Sequence, residues 1–199
     1  MSYGTSNVQG LTRKINEVMI ESKNLKLDVA VITETKKKGQ GSESMGQYDP
    51  FYSVSKDRRA QQGVSVLIKR NLRKHVHSWE AISERTIKIN MTVRENRITI
   101  FGVYGINDDS LVNVKEKFFE DLNNEITKVG KTREIIILGD LNCRLGKSTD
   151  SQVVGPYRKD TKNNNGNRLI TLWYVYIGAL RRERAARAPS VVCALHLLF

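Results

Sequence analysis

Cysteine is scarce: Cys143 and Cys193 stand far apart with no Cys-x-x-Cys pattern, which excludes a disulfide framework and offers no zinc-site spacing. No apolar run approaches the roughly 20 residues that a membrane-spanning helix needs. The opening residues Met1-Ser2-Tyr3-Gly4 are polar and lack the apolar segment of a signal peptide, so the expectation is an intracellular protein with no membrane partner. No internal repeat is visible. Acidic residues are outnumbered, 21 against 33 basic ones, and the net charge is +12. Such an excess favours an anionic partner such as nucleic acid, although solvated lysines can also serve solubility alone. A length of 199 residues suits one domain with a sizeable core.

What is present is a series of short apolar runs. Leu11, Ile15, Val18 and Met19 recur at helical spacing and predict a helix over 11–24. Strands are predicted at 28–33, 51–55, 63–68 and 75–79, with a charged, Gly/Ser-rich loop over 36–47. Thr86 to Val93 alternates apolar and polar residues, turns at Arg94-Glu95-Asn96, and returns as a partner strand to Tyr104. Asn107-Asp108-Asp109-Ser110 is expected to cap a helix over 111–129, and a short helix is expected near Asn167. Hairpin strands mixed with a few helices predict an α/β (α+β) sandwich of two mixed sheets flanked by helices.

The stretch around which the rest is arranged is Ile135-Ile136-Ile137-Leu138-Gly139-Asp140-Leu141-Asn142. Four aliphatic residues read as a strand buried on both faces. Asp140 and Asn142 follow at the spacing that puts two side chains on one side of an extended chain. They form either a turn or a carboxylate–carboxamide pair able to hold a water, a phosphate oxygen or a hard cation. Strand ends elsewhere carry Asn7, Glu34 and Tyr104. Each has a plain alternative: Asn7 as a helix cap, Glu34 as a solvated strand end, Tyr104 as core. Together with Asp140 and Asn142 they would suit a Mg²⁺-dependent phosphodiesterase.

Six segments in order resemble the endonuclease/exonuclease/phosphatase superfamily, and within it the apurinic-type endonuclease domain of non-LTR, RTE-like retrotransposons. They are Asn7-Val8-Gln9-Gly10-Leu11, Ile32-Thr33-Glu34-Thr35, Gly63-Val64-Ser65-Val66-Leu67-Ile68, Val103-Tyr104, Gly139-Asp140-Leu141-Asn142 and Asn165-Gly166-Asn167-Arg168-Leu169. The resemblance implies that Glu34 binds Mg²⁺ (or Mn²⁺) and that Asp140 activates the attacking water. It assigns Asn142 to the scissile phosphate, Tyr104 to the transition state and Asn7 to ordering the metal-side carboxylates. The implied substrate is duplex DNA, nicked to leave a 3′-hydroxyl, by a monomer acting in the nucleus. Lys36, Lys37, Lys38, Arg58 and Arg59 would meet phosphates, or else form a solvated loop.

The resemblance covers about 5–172, within a partial domain expected over 1–172. The Ser-Asp-His motif with which the superfamily completes its site has no counterpart here, and 173–199 reads as an unrelated basic and apolar tail. His196 has no Asp beside it, and His75 and His77 read as structural. The expectation is a domain truncated on its C-terminal side, with unpaired sheet edges and weak or no activity. The alternative is a non-catalytic remnant that binds nucleic acid or protein.

Overall fold

Among the described residues of the computed structural model the apolar runs become ten strands and the helical periodicities three α-helices, with a 3-10 helix at Arg70–His75. The structure describes residues 1–37, 39–53, 62–130, 132–146, 161–182 and 191–195, the side chains of 175–182 and 191–195 excepted. These residues divide into two compact units, 1–104 with 133–140 and 190–199, and 105–132 with 141–189.

The first unit is a sandwich of two mixed sheets, the expected fold class. One sheet contains β1 (Tyr3–Asn7), β2 (Val29–Thr33), β3 (Gly41–Ser42), β4 (Tyr48–Ser53) and β5 (Val64–Lys69), in the order β1-β2-β5-β4-β3. The other contains β6 (Val76–Ser83), β7 (Thr86–Val93), β8 (Asn96–Tyr104), β9 (Glu134–Asp140) and β10 (Val191–Leu195), in the order β10-β9-β8-β7-β6. Helix α1 (Ile15–Asn24) lies on the outer face of the first sheet. There Val18 joins Val8, Ala30, Ile32 and Leu67 in one apolar cluster.

Strand composition follows from burial. All five residues of β2 are buried, so nothing selects for alternation along it. In β7 Ile87, Ile89 and Met91 face the core while Lys88, Asn90 and Thr92 point away, as a half-covered strand requires. The two sheets close over one core that includes Val31, Phe51, Val66, Ile89, Ile100 and Leu138. Arg94 and Glu95, both at positive φ, make the two-residue turn whose twist matches that of β7 and β8.

Both sheets contain parallel pairs, which demand a crossover longer than a hairpin. β1 and β2 run parallel with α1 between them in sequence, and β8 and β9 run parallel with 105–133 between them. Because of this, Asn7, Tyr104 and Asp140 are all last residues of their strands, and Glu34 directly follows the last residue of β2.

The second unit contains α2 (Val112–Thr127) and α3 (Asn164–Arg182), joined by the Arg168–Glu116 ion pair at 3.0 Å. No side chain caps α2: Asn107 and Ser110 close a turn of their own, and the buried Lys115 ammonium donates to the Asp108 carbonyl. The expected Asx/Ser cap is therefore absent. Three further expectations change. Gly41–Ser42 pairs with β4 inside the predicted loop. Helix α3 is long and continues through 172–173. Val191–Leu195 pairs with β9 in parallel, so β9 has neighbours on both edges instead of one bare edge.

Candidate active site

Two parallel strand pairs end together in the first unit. Asn7 is in register with Thr33, the residue before Glu34, and Tyr104 with Asp140. The Asn7 amide donates from Nδ2 to Glu34 Oε1 at 2.7 Å and stands 3.4 Å from Asp140 Oδ2. The Tyr104 hydroxyl donates to the same Glu34 Oε1 at 3.1 Å. One carboxylate from the first sheet is thus held by an amide and a phenol, with a second carboxylate from the other sheet alongside. These four sequence candidates come together.

Glu34 has φ +55, a left-handed conformation that a non-glycine residue adopts only when its surroundings enforce it. They do so here. Gly10 N donates to the Glu34 carbonyl at 2.8 Å, Leu11 N to that of Thr35, and Thr35 N to Gly63 O at 3.2 Å. The side chain is thereby turned off the strand line, and the strained residue is the one assigned to the metal.

Electrostatics favour a neutral phenol. Burial, the Glu34 charge and the hydrogen bond to Glu34 push the Tyr104 pKa up to about 12, against a smaller opposing pull from Arg85. Tyr104 thus remains an O–H donor through the physiological range. Phenolate absorbance attributable to Tyr104, as the difference between wild type and Tyr104→Phe, should be absent up to about pH 10. Glu34→Gln removes the Glu34 charge and leaves only a neutral acceptor for the hydrogen bond, with burial and the Asp140 charge still raising the pKa, so it should move that transition downward. A Tyr104 transition at the ordinary tyrosine value in the wild type would contradict the geometry.

The donor set fits a hard divalent cation. Mg²⁺ is commonly bound by one or two carboxylates together with waters and substrate oxygens. Glu34 and Asp140 supply carboxylates, and Asn7 Oδ1 is buried with no partner among the described residues, an acceptor left for such a group. Among the described residues no three Asp, Glu, His or Cys side chains cluster.

Asn142 belongs to the second unit. The spacing argument for it fails locally, because β9 ends at Asp140 and Asn142 adopts φ +50, off the strand. Asparagine tolerates this conformation better than most residues. Its Nδ2 donates to Gly105 O at 3.2 Å and lies 3.4 Å from Asn107 Oδ1.

The basic candidates fare unevenly. Lys36 is exposed. Lys37 is engaged, pairing with Glu43 at 2.7 Å and standing 3.7 Å over the Tyr52 ring. Lys38, Arg58 and Arg59 lie outside the described residues. The sequence reading missed Arg85, whose guanidinium stands 4.9 Å from the Tyr104 ring centroid and whose Nη1 donates to the Tyr104 carbonyl at 3.4 Å. The hairpin register held the signal: Thr86 pairs with Val103, so residue 85 falls opposite Tyr104.

Fold and strand-end cluster together define an α/β sandwich of two mixed sheets with an amide, a phenol and two carboxylates at one end. The profile described as Endonuclease/Exonuclease/phosphatase family matches residues 4–192, and the chain belongs to that family, whose members are phosphodiesterase and nuclease hydrolases. Craniofacial development protein 2 of Bos taurus is 23% identical over 168 residues, covering 84% of this chain and 28% of that protein. The chain thus spans under a third of the curated relatives it matches. The AP endonuclease LMAP of Leishmania major superposes with a TM-score of 0.61 at 15% identity, over 84% of this chain and 64% of that one. The endonuclease domain of TRAS1, a telomere-specific non-LTR retrotransposon, does so with a TM-score of 0.60 at 19% identity, over 87% and 69%. These two share the fold.

Proposed function

We propose that this chain is a Mg²⁺-dependent DNA endonuclease domain of retrotransposon descent, acting on duplex DNA as a monomer in the nucleus. The observation that carries the reading is the Glu34 carboxylate gripped by Asn7 and Tyr104 beside Asp140.

Each residue then has a task. Glu34 would hold the cation, with Asn7 fixing its rotamer through the 2.7 Å amide bond. The bound cation would supply charge neutralisation at the phosphate oxygens. Asp140 accepts a proton from the attacking water as the water oxygen bonds to phosphorus and the P–O3′ bond breaks; the departing 3′ oxygen takes a proton from solvent, leaving a 3′-hydroxyl and a 5′-phosphate. Tyr104, neutral because its pKa lies near 12, donates its O–H to the charge building on the phosphoryl oxygens. Asn142 is assigned to the scissile phosphate by the resemblance, and Arg85 adds a cation beside Tyr104. Lys36 and the other basic candidates supply phosphate contacts, consistent with the net charge of +12 and with retention that falls steeply as salt rises. Turnover by these residues alone is weak, since the Asp and His of the superfamily's Ser-Asp-His motif have no match in the sequence.

Conversion of supercoiled plasmid to nicked circles, with Mg²⁺ or with EDTA, tests the reading. Slow nicking that requires the metal and yields ends that a polymerase extends is expected. Metal-independent nicking, or none with either Mg²⁺ or Mn²⁺ at low salt, would overturn it. Salt-sensitive DNA retention without nicking would favour a binding remnant.

A further inference from the structure

The run Asn163-Asn164-Asn165-Gly166 opens α3, and the functional reading so far gives it no task. In the second unit it lies against the turn that carries Asn142. Asn163 Nδ2 donates to the Asn142 carbonyl at 2.9 Å, and Asn165 Nδ2 reaches the same carbonyl at 3.3 Å and Ile106 O at 2.8 Å. The Asn163 Oδ1 accepts from Arg144 N at 2.9 Å and Gly166 N at 2.8 Å. An antiparallel bridge between Leu145 and Lys162 closes the loop behind them.

Two glycines make the approach possible. A Cβ on Gly166 would stand 2.0 Å from the Arg144 carbonyl oxygen, and one on Gly105 would stand 2.4 Å from that of Leu141. The turn is thus pressed between 105–107, which takes the Asn142 side chain, and 163–166, which takes its backbone. A left-handed non-glycine residue needs such constraint from its surroundings. Asn165 is fully buried, and its Oδ1 has no partner among the described residues. That residue is therefore present for its N–H donors, not as a general-purpose amide.

We infer that Asn163 and Asn165 are positioning residues that hold Asn142 in its left-handed conformation, and so fix the group assigned to the phosphate. The inference rests on the endonuclease reading for its catalytic consequence. The competing account is that Asn163 merely caps α3, a role in which asparagine and aspartate serve equally. Asn163→Asp separates the two: it keeps the acceptor for Gly166 N and Arg144 N but removes the donor to the Asn142 carbonyl. Asn163→Ser is a neutral counterpart whose shorter side chain caps without reaching that carbonyl. Leu169→Ala, at a buried position of α3, is the control for loss of helix stability alone.

With all variants folded at the assay temperature, the single-turnover nicking rate should fall roughly tenfold or more in Asn163→Asp and Asn163→Ser. Half-saturating protein in DNA retention should stay within about twofold, because the loss is in orientation and not in binding. Leu169→Ala should keep the wild-type rate. Wild-type rates in both Asn163 variants, or equal losses in all three, would overturn the inference in favour of a plain cap. If the wild-type chain does not nick DNA, the endonuclease reading has failed, and the positioning is read instead from the Asn142 amide resonances. Those should shift in Asn163→Asp and Asn163→Ser but not in Leu169→Ala; unmoved resonances in the Asn163 variants would overturn it.

Discussion

Replacing Glu34 by alanine is expected to lower Mg²⁺-dependent nicking by at least about a thousandfold, with DNA retention unchanged. The size of the effect follows from what the carboxylate does. Among the described residues both Asn7 and Tyr104 bond it, so its loss would remove the proposed cation ligand and release two neighbours at once. Groups that act as a unit lose most of their effect when any one is removed. Retention should persist because it rests on basic side chains, none of which touches Glu34 among the hydrogen bonds and ion pairs of the described residues. The mutation also relieves no packing, since the strained φ at this position is imposed by backbone bonds from Gly10 and the chain around Gly63. A Glu34→Ala protein that nicks within about tenfold of the wild-type rate would remove the metal from the account.

The largest loss of stability is expected from Gly139→Ala. Gly139 has φ +134, and a Cβ there would lie 1.9 Å from the Val103 carbonyl oxygen, which is backbone and cannot swing aside. The strand pair it would force apart, β8 and β9, ends in Tyr104 and Asp140. A forbidden backbone conformation combined with a backbone clash should cost roughly 3 kcal/mol or more. For a chain of this size that corresponds to a fall of about 6–12 °C in Tm. Gly130→Ala, where nothing lies within 4 Å of the new Cβ, should leave the midpoint nearly unchanged and serves as the comparison. A midpoint for Gly139→Ala within about 2 °C of wild type would show that β9 can shift away from Val103.

The parts of the fold written in local pattern were legible. The alternation from Thr86 to Val93 predicts β7 with both its ends, because a half-covered strand leaves its inside and outside in the sequence. The buried runs in β2 and β9 were equally plain, since four or five aliphatic residues in succession leave few other options. What escaped depends on contacts distant in sequence. Val191–Leu195 is a strand only because β9 offers an edge for it. Gly41–Ser42 is too short to carry any period of its own. The N-terminus of α2 was misjudged because Lys115 satisfies the Asp108 carbonyl from within the helix, which no capping pattern anticipates.

The candidate site divides in the same way. Strand-end logic brought Asn7, Glu34, Tyr104 and Asp140 into consideration, and parallel pairing places them together. It failed for Asn142, since one left-handed residue cancels the two-residue period. Arg85 was overlooked because it stands one residue before a strand, where only the hairpin register shows what it faces.

Mn²⁺ binding followed by electron paramagnetic resonance, on the wild-type chain and Glu34→Ala without DNA, tests the central claim most directly, because it does not depend on turnover. The account expects one saturable Mn²⁺ per wild-type chain, displaced by excess Mg²⁺, and its loss in Glu34→Ala. Equal binding by both proteins, or no saturable site in the wild type, would contradict it.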